Sequence, residues 1–190
     1  MISYIEAKKL LNVNPLSGMM ILSLDSLDRI CYDDVYSKFN LPFFNNSAMD
    51  GYAINFNETK MAIYERPLFF KIVGCQLAGG KFNNFIFSSF CVVEIMTGAF
   101  LPRNFNAVVK KEDVEIIYIN NIKYIIIKKP VLNYENVKMV GEDVLKYDLI
   151  IKKGKIISPS DIMLLLSLGI FFIKVYKIPK VILICTGEEL

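Results

Sequence analysis

The chain has 190 residues, and 54% of them are apolar against the roughly 45–50% usual in soluble domains, so it buries a core without staples and is not a disordered chain. It has no histidine, which excludes a histidine-based triad, a Cys/His pair and a histidine-ligated metal centre. With 22 basic against 19 acidic residues the net charge is only +3, and no segment is a basic arm, so no nucleic-acid partner is expected.

At the N-terminus, Ser3 and Glu6 fit a capping box ahead of an apolar face made by Ile5, Ala7, Leu10 and Leu11, which predicts a first helix. After Asn14-Pro15 and Ser17-Gly18, the residues Leu24, Leu27, Ile30 and Cys31 recur at helical spacing with Asp25, Asp28 and Arg29 between them, and predict a second, amphipathic helix. From about residue 67 the period changes to that of strands, with runs over 69–73, 82–87, 91–96 and 107–109. The segments 114–119 and 122–127 flank Asn120-Asn121, whose tolerance of positive φ suits a two-residue hairpin turn.

Residues 149–157 read as a further hairpin around Gly154, and Ser158-Pro159 opens a helix that Gly169 closes. Beyond Pro179, the apolar run 181–185 leads into Thr186-Gly187-Glu188-Glu189-Leu190. A continuous apolar strand suits the middle of a parallel sheet, where ligands bind beyond the carboxyl ends; the other reading is a terminal strand added to an existing sheet. We read it as the first strand of a further α/β domain. The longest apolar stretch, 162–173, contains Ser167 and Gly169 and falls short of the roughly 18 residues of a membrane span. The first residues carry no secretory pattern, so the expectation is a cytoplasmic protein without a membrane partner. The cysteines, at 31, 75, 91 and 185, form no Cys-x-x-Cys and so write neither a zinc knuckle nor a redox motif.

Two loops carry the candidate chemistry. In Asn45-Asn46-Ser47-Ala48-Met49-Asp50-Gly51-Tyr52-Ala53, small residues and Gly51 let backbone approach a ligand while Ser47 and Asp50 offer a hydroxyl and a carboxylate; an Asx-rich turn is the alternative. Ile95-Met96-Thr97-Gly98-Ala99 ends a strand with a hydroxyl and a glycine, as an anion-holding turn or as an ordinary strand-ending one. If Asp50, Thr97, Glu188 and Glu189 converge, carboxylates can hold a hard cation, and hydroxyl or amide groups the anion it bridges. The pairs Lys110-Lys111, Lys128-Lys129 and Lys152-Lys153 either guide such an anion or keep strand edges soluble.

In order along the chain, these segments resemble the molybdopterin molybdenumtransferases, the molybdenum-insertion enzymes of molybdenum-cofactor biosynthesis, among which is the E domain of gephyrin. The loop from Pro42 to Ala53 resembles the family's Pro-Phe-x-Asn-Ser-Ala-Met-Asp-Gly-Tyr-Ala signature. Ala78-Gly79, Ile95-Met96-Thr97-Gly98-Ala99-Phe100-Leu101-Pro102, Asn136-Val137-Lys138-Met139-Val140-Gly141-Glu142-Asp143 and Thr186-Gly187-Glu188-Glu189-Leu190 resemble later blocks.

The fold this resemblance implies is mixed α/β. Residues 1–40 and 131–178 would form an elongated two-segment domain, 41–130 an inserted β-barrel-like domain, and 179–190 the truncated start of a third, substrate-binding α/β domain. The implied activity inserts molybdate into adenylylated molybdopterin with release of AMP, using Mg²⁺, in a homodimer. Asp50 would position the metal or the hydrolytic water, Thr97 would contact molybdate or phosphate, and Glu189 would belong to the substrate site. Glu188 would be a second metal ligand, with Ser47, Gly51, Gly98, Lys138, Thr186 and Gly187 binding substrate. Such a chain supplies one wall of the cleft and is expected to be inactive alone; a non-catalytic dimerising scaffold and a small-anion binding module are the alternatives. Departures from the family pattern are Phe43, Asn45, Glu94, Phe100, Asn104-Phe105-Asn106 and Lys138, the last losing the bidentate fork of an arginine.

Overall fold

In the computed structural model, the described residues are 2–10, 16–80, 88–183 and 185. The chain divides into two compact units, one made of the segments up to Lys38 and from Tyr147 onward, the other of Phe39–Lys146.

In the first unit, helix α1 (Tyr4–Leu10) forms with the expected cap: Glu6 Oε2 accepts from Ser3 N at 2.8 Å, and Ser3 Oγ accepts from Glu6 N at 3.2 Å. Strand β1 (Gly18–Leu22) follows and is paired antiparallel with the strand Phe172–Tyr176. The expected second helix is absent. Ser23–Asp25 is a single 3₁₀ turn and Asp28 takes a φ of +59°. The buried hydroxyls decide this, because Ser23 Oγ donates to Ile170 O at 2.7 Å and Ser26 Oγ to Ser23 O at 2.6 Å, locking the backbone into turns. Leu24, Leu27 and Ile30, the supposed buried stripe, are exposed.

Strand β2 (Val35–Tyr36) pairs with the strand Leu149–Ile151, while Ile156 bridges to Ile30. The turn at Gly154 therefore exists, at φ +82°, but its arms pair with the N-terminal segment and not with each other as a hairpin. Long-range burial overrides the local pattern: Ile151 and Ile157 pack with Cys31, Leu165, Ile173 and Val175 in the core of this unit. Helix Pro159–Ser167 starts at Ser158 and stops before Gly169 at φ +70°, as the sequence predicts.

The second unit holds strands β3 (Asn46–Ser47), β4 (Gly51–Ile54), β5 (Leu68–Gln76), β6 (Cys91–Ile95), β7 (Ala107–Lys110), β8 (Glu115–Ile119), β9 (Ile122–Ile127) and β10 (Val137–Lys138). Six of them form one sheet in the order β7-β4-β6-β5-β9-β8, and β3 pairs with β10. Among the described residues no ladder joins β7 to β8, so the sheet is open and not a closed barrel. The apolar runs of β4 and β6 are central strands buried on both sides. Tyr52, Ile54 and Val92 pack with Phe70, Ile125 and Ile127 on one face, while Ala53, Val93 and Ile95 pack with Leu101, Phe105 and Val108 on the other. The unit continues past residue 130 to Lys146 because Val137 and Lys138 pair with Ser47 and Asn46, and Val144 bridges to Leu41.

The β8–β9 hairpin forms with Ile119 opposite Ile122, and Asn120 and Asn121 sit at φ +51° and +63°, the conformation of a type I′ turn. We expect Asn121→Val, which puts a β-branched residue in that left-handed position, to lower stability by about 1–2 kcal/mol in urea denaturation.

In the first unit β11 (Leu149–Ile151), α2 (Pro159–Ser167) and β12 (Phe172–Tyr176) complete the chain order, and among the described residues no strand follows. The expected strand at 181–185 is not formed by its described residues: Val181, Ile182 and Leu183 are 79–91% exposed and pair with nothing among them. The expected run at 82–87 lies outside the described residues. Among the described residues no helix is long and apolar enough to cross a membrane.

Candidate functional site

Strand order explains how distant residues meet. β4 runs antiparallel to both β6 and β7, with Gly51 in register with Ile95 on one side and Lys110 on the other. The start of β4 therefore lies beside the ends of β6 and β7, which brings together Asp50, just before β4, Thr97, just after β6, and Lys111, just after β7. Gly51 permits the approach: a Cβ there would stand 2.0 Å from the Val109 carbonyl oxygen.

Asp50 is clasped. Its Oδ1 accepts from both Thr97 N and Thr97 Oγ1, each at 2.8 Å. Its backbone carbonyl accepts from Lys111 N at 3.2 Å, and the Lys111 ammonium stands 3.7 Å from Oδ2. The Thr97 amide, then the Thr97 hydroxyl, and beyond them the Lys111 charge hold the Asp50 carboxyl below the usual carboxylate range. It is an acceptor-only group at neutral pH, and its side chain remains 43% exposed. The Thr97 turn is pinned as well: Gly98, at φ +76°, donates its N–H to Ser47 O at 2.8 Å, and Ser47 N donates to Ala99 O at 3.0 Å.

Other expected site residues have structural partners. Ser47 is buried, and its hydroxyl donates to Met49 O, closing the loop that leads to Asp50. The Lys138 ammonium is paired with Asp143 Oδ2 at 2.6 Å. Asn45 Oδ1 accepts from Val140 N and Asn106 Oδ1 from Phe56 N, both at 2.8 Å, so these two amides fill acceptor positions where a carboxylate would also serve. Glu94 lies across from Tyr52 and 3.9 Å from Lys123, and it is not among the charges that shift Asp50. Burial, helped by the Glu94 charge, pushes the buried Tyr52 phenol up. Thr186, Gly187, Glu188 and Glu189 lie outside the described residues.

Of the two residues expected to hold magnesium, Asp50 is described and Glu188 lies outside the described residues. Asp50 Oδ1 accepts both Thr97 donors and its Oδ2 faces the Lys111 ammonium, so a magnesium ion, which keeps several waters and uses only one or two carboxylates beside substrate phosphates, would meet this side chain at Oδ2. No group of three metal-ligating side chains occurs among the described residues. Lys111 was legible only as one of several lysines at strand ends; its place beside Asp50 depends on which strands flank β4, for which the sequence carries no local signal.

The sequence model of the family described as the MoeA N-terminal region (domain I and II) matches residues 2–169. The chain belongs to the MoeA family. Among its relatives, a molybdopterin molybdenumtransferase from Haemophilus influenzae is 36% identical over 166 residues, covering 87% of this chain and 39% of that one. A protein of the same name from Staphylococcus aureus is 32% identical over 181 residues, covering 94% and 42%. The crystal structure of a molybdopterin biosynthesis MoeA protein from Pyrococcus horikosii matches with a TM-score of 0.79 at 32% identity, over 92% of this chain and 43% of that one. The chain thus spans about two fifths of the length of the MoeA relatives it matches. Asp50, Thr97 and Lys111 all fall within the matched region.

Proposed function

We propose that this chain serves molybdenum-cofactor biosynthesis as the N-terminal part of a molybdopterin molybdenumtransferase, acting on molybdate and adenylylated molybdopterin with release of AMP. The working assembly is a cytoplasmic homodimer in which the Asp50 loop forms one wall of the cleft, and Thr186, Gly187, Glu188 and Glu189 belong to the opposing part. The observation that carries the reading is the clasp of Asp50 by Thr97 within a region matched by the MoeA family.

The clasp also narrows what Asp50 does. A carboxyl held below its usual range is a weak base, so its contribution is to accept a hydrogen bond and orient a water or a substrate N–H or O–H, with Oδ2 as the accessible oxygen. Preorganisation of this kind acts because Asp50 needs no reorientation when the substrate arrives.

The test grafts residues 2–169 in place of the matching segment of the Haemophilus influenzae relative and measures AMP release and cofactor formation. We expect turnover by the graft, a loss of at least about tenfold with Asp50→Asn, and no AMP release by residues 1–190 alone. A folded, dimeric graft without turnover, or one in which Asp50→Asn is as fast as the parent, overturns the proposal.

A further inference from the structure

We propose that Lys111 is the oxyanion-binding cation of this site, and that Thr97 contributes indirectly as the positioning residue of Asp50. The inference rests on the reading that the Asp50 loop faces substrate, and it reverses the role that family resemblance alone assigns to Thr97.

A tetrahedral oxyanion such as molybdate or a phosphate group offers only acceptors, so it is held by donors that are still available. Thr97 has two candidates, its amide and its hydroxyl proton, and both are given to Asp50 Oδ1 at 2.8 Å. An anion could take either one only by breaking the clasp. Lys111 differs. Its ammonium is 3.7 Å from Asp50 Oδ2, near enough for charge attraction and at most one long hydrogen bond, so at least two of its three N–H donors remain available.

The placement of Lys111 is also built. Its backbone N–H donates to the Asp50 carbonyl at the start of the 3₁₀ turn Lys111–Asp113, which anchors its Cα next to the carboxylate while its side chain stays 58% exposed. Asp50 attracts the ammonium to one side of its range and lowers the entropy lost when an anion is gripped. Conversely, an anion approaching Asp50 meets a like charge unless Lys111 offsets it. The lysine that resemblance puts forward, Lys138, is already paired at 2.6 Å with Asp143.

The experiment titrates the ¹⁵N-labelled 190-residue chain with sodium molybdate, and in a second arm with AMP, at constant ionic strength, following the amide resonances of Thr97, Gly98 and Lys111. Saturable shifts are expected with at least one anion, and whichever arm responds identifies the source of the oxyanion. Lys111→Met is expected to raise the apparent Kd at least about fivefold, Lys111→Arg to hold it within about twofold, and the adjacent Lys110→Met to leave it unchanged. The absence of shifts in both arms, unchanged affinity in Lys111→Met, or an equal loss in Lys110→Met overturns the inference. Because binding is read without turnover, such a failure leaves the grafted-enzyme test of Asp50 standing, and a failure there leaves this one readable.

Discussion

Gly51→Ala is expected to unfold the Phe39–Lys146 unit or to leave it only marginally stable. The added methyl would lie 2.0 Å from Val109 O, 2.9 Å from Val109 C and 3.1 Å from Lys110 Cα. All three are backbone atoms of β7, so no rotamer change relieves the overlap; the strands themselves must separate. β4 is flanked on both sides, by β6 and β7, and every one of its residues is buried, so moving β7 away opens the contacts of Ala53 and Val108 with Val93 and Leu101. We expect a loss of at least about 3 kcal/mol, at the upper end of overpacking costs and a large part of the roughly 5–15 kcal/mol that holds a domain folded. The contrast is Gly98→Ala, at φ +76° with nothing within 4 Å of its would-be Cβ, where only backbone strain of about 1 kcal/mol applies. Urea midpoints followed by circular dichroism separate the two. Equal losses would mean that conformational freedom, and not close approach, is what position 51 requires. The same overlap lies beside the Asp50 carbonyl that receives Lys111 N, so the variant loses the Asp50 site together with the sheet.

The parts of the fold that were legible in the sequence are those set by neighbours in the chain. Ser3 with Glu6, Ser158 with Pro159, and Asn120-Asn121 each act over a few residues, and each element formed where it was read. The failures share the opposite cause. Leu24, Leu27, Ile30 and Cys31 have helical spacing, but the hydroxyl of Ser23 finds its partner at Ile170, 147 positions away, and that bond settles the segment as turns. The two arms around Gly154 look like partners, yet Val35 and Ile30 supply the pairing.

The site divides in the same way. Asp50 and Thr97 stood out as polar residues in glycine-bearing loops, but the 47 positions between them are bridged only by the antiparallel placement of β6 against β4. Ser47 and Lys138 also stood out, and their polar groups are taken up by Met49 and Asp143. A residue type shows what a side chain can do, whereas the partner that uses it is decided by topology.

Removing the carboxylate of Asp161 is expected to produce the largest loss in the other unit. Asp161 is 6% exposed and stands at the third position of α2. Its Oδ2 accepts from Ser158 N at 2.9 Å and Ser158 Oγ at 2.7 Å, its Oδ1 accepts from Lys155 Nζ at 2.6 Å, and its own N–H donates back to Ser158 Oγ at 3.3 Å. One side chain thus closes the helix cap and ties the Gly154 turn to it. Asp161→Ala leaves the Ser158 N–H without its acceptor and is expected to cost about 2–3 kcal/mol at neutral pH, mostly from the cap. The Lys155 share is small because that side chain is about half exposed. Burial by itself would raise the Asp161 carboxyl, but the hydrogen bonds from Lys155 and Ser158 outweigh it and leave it below the ordinary value. A depressed carboxyl stabilises the fold fully above its unfolded-state range, and that contribution is lost as pH falls through the lower folded value. The difference between the parent chain and Asp161→Asn in urea denaturation is therefore expected to be largest near about pH 7 and to shrink toward about pH 2. A difference that stays constant over that range would show that the cap works through shape and neutral hydrogen bonds, with no contribution from the charge.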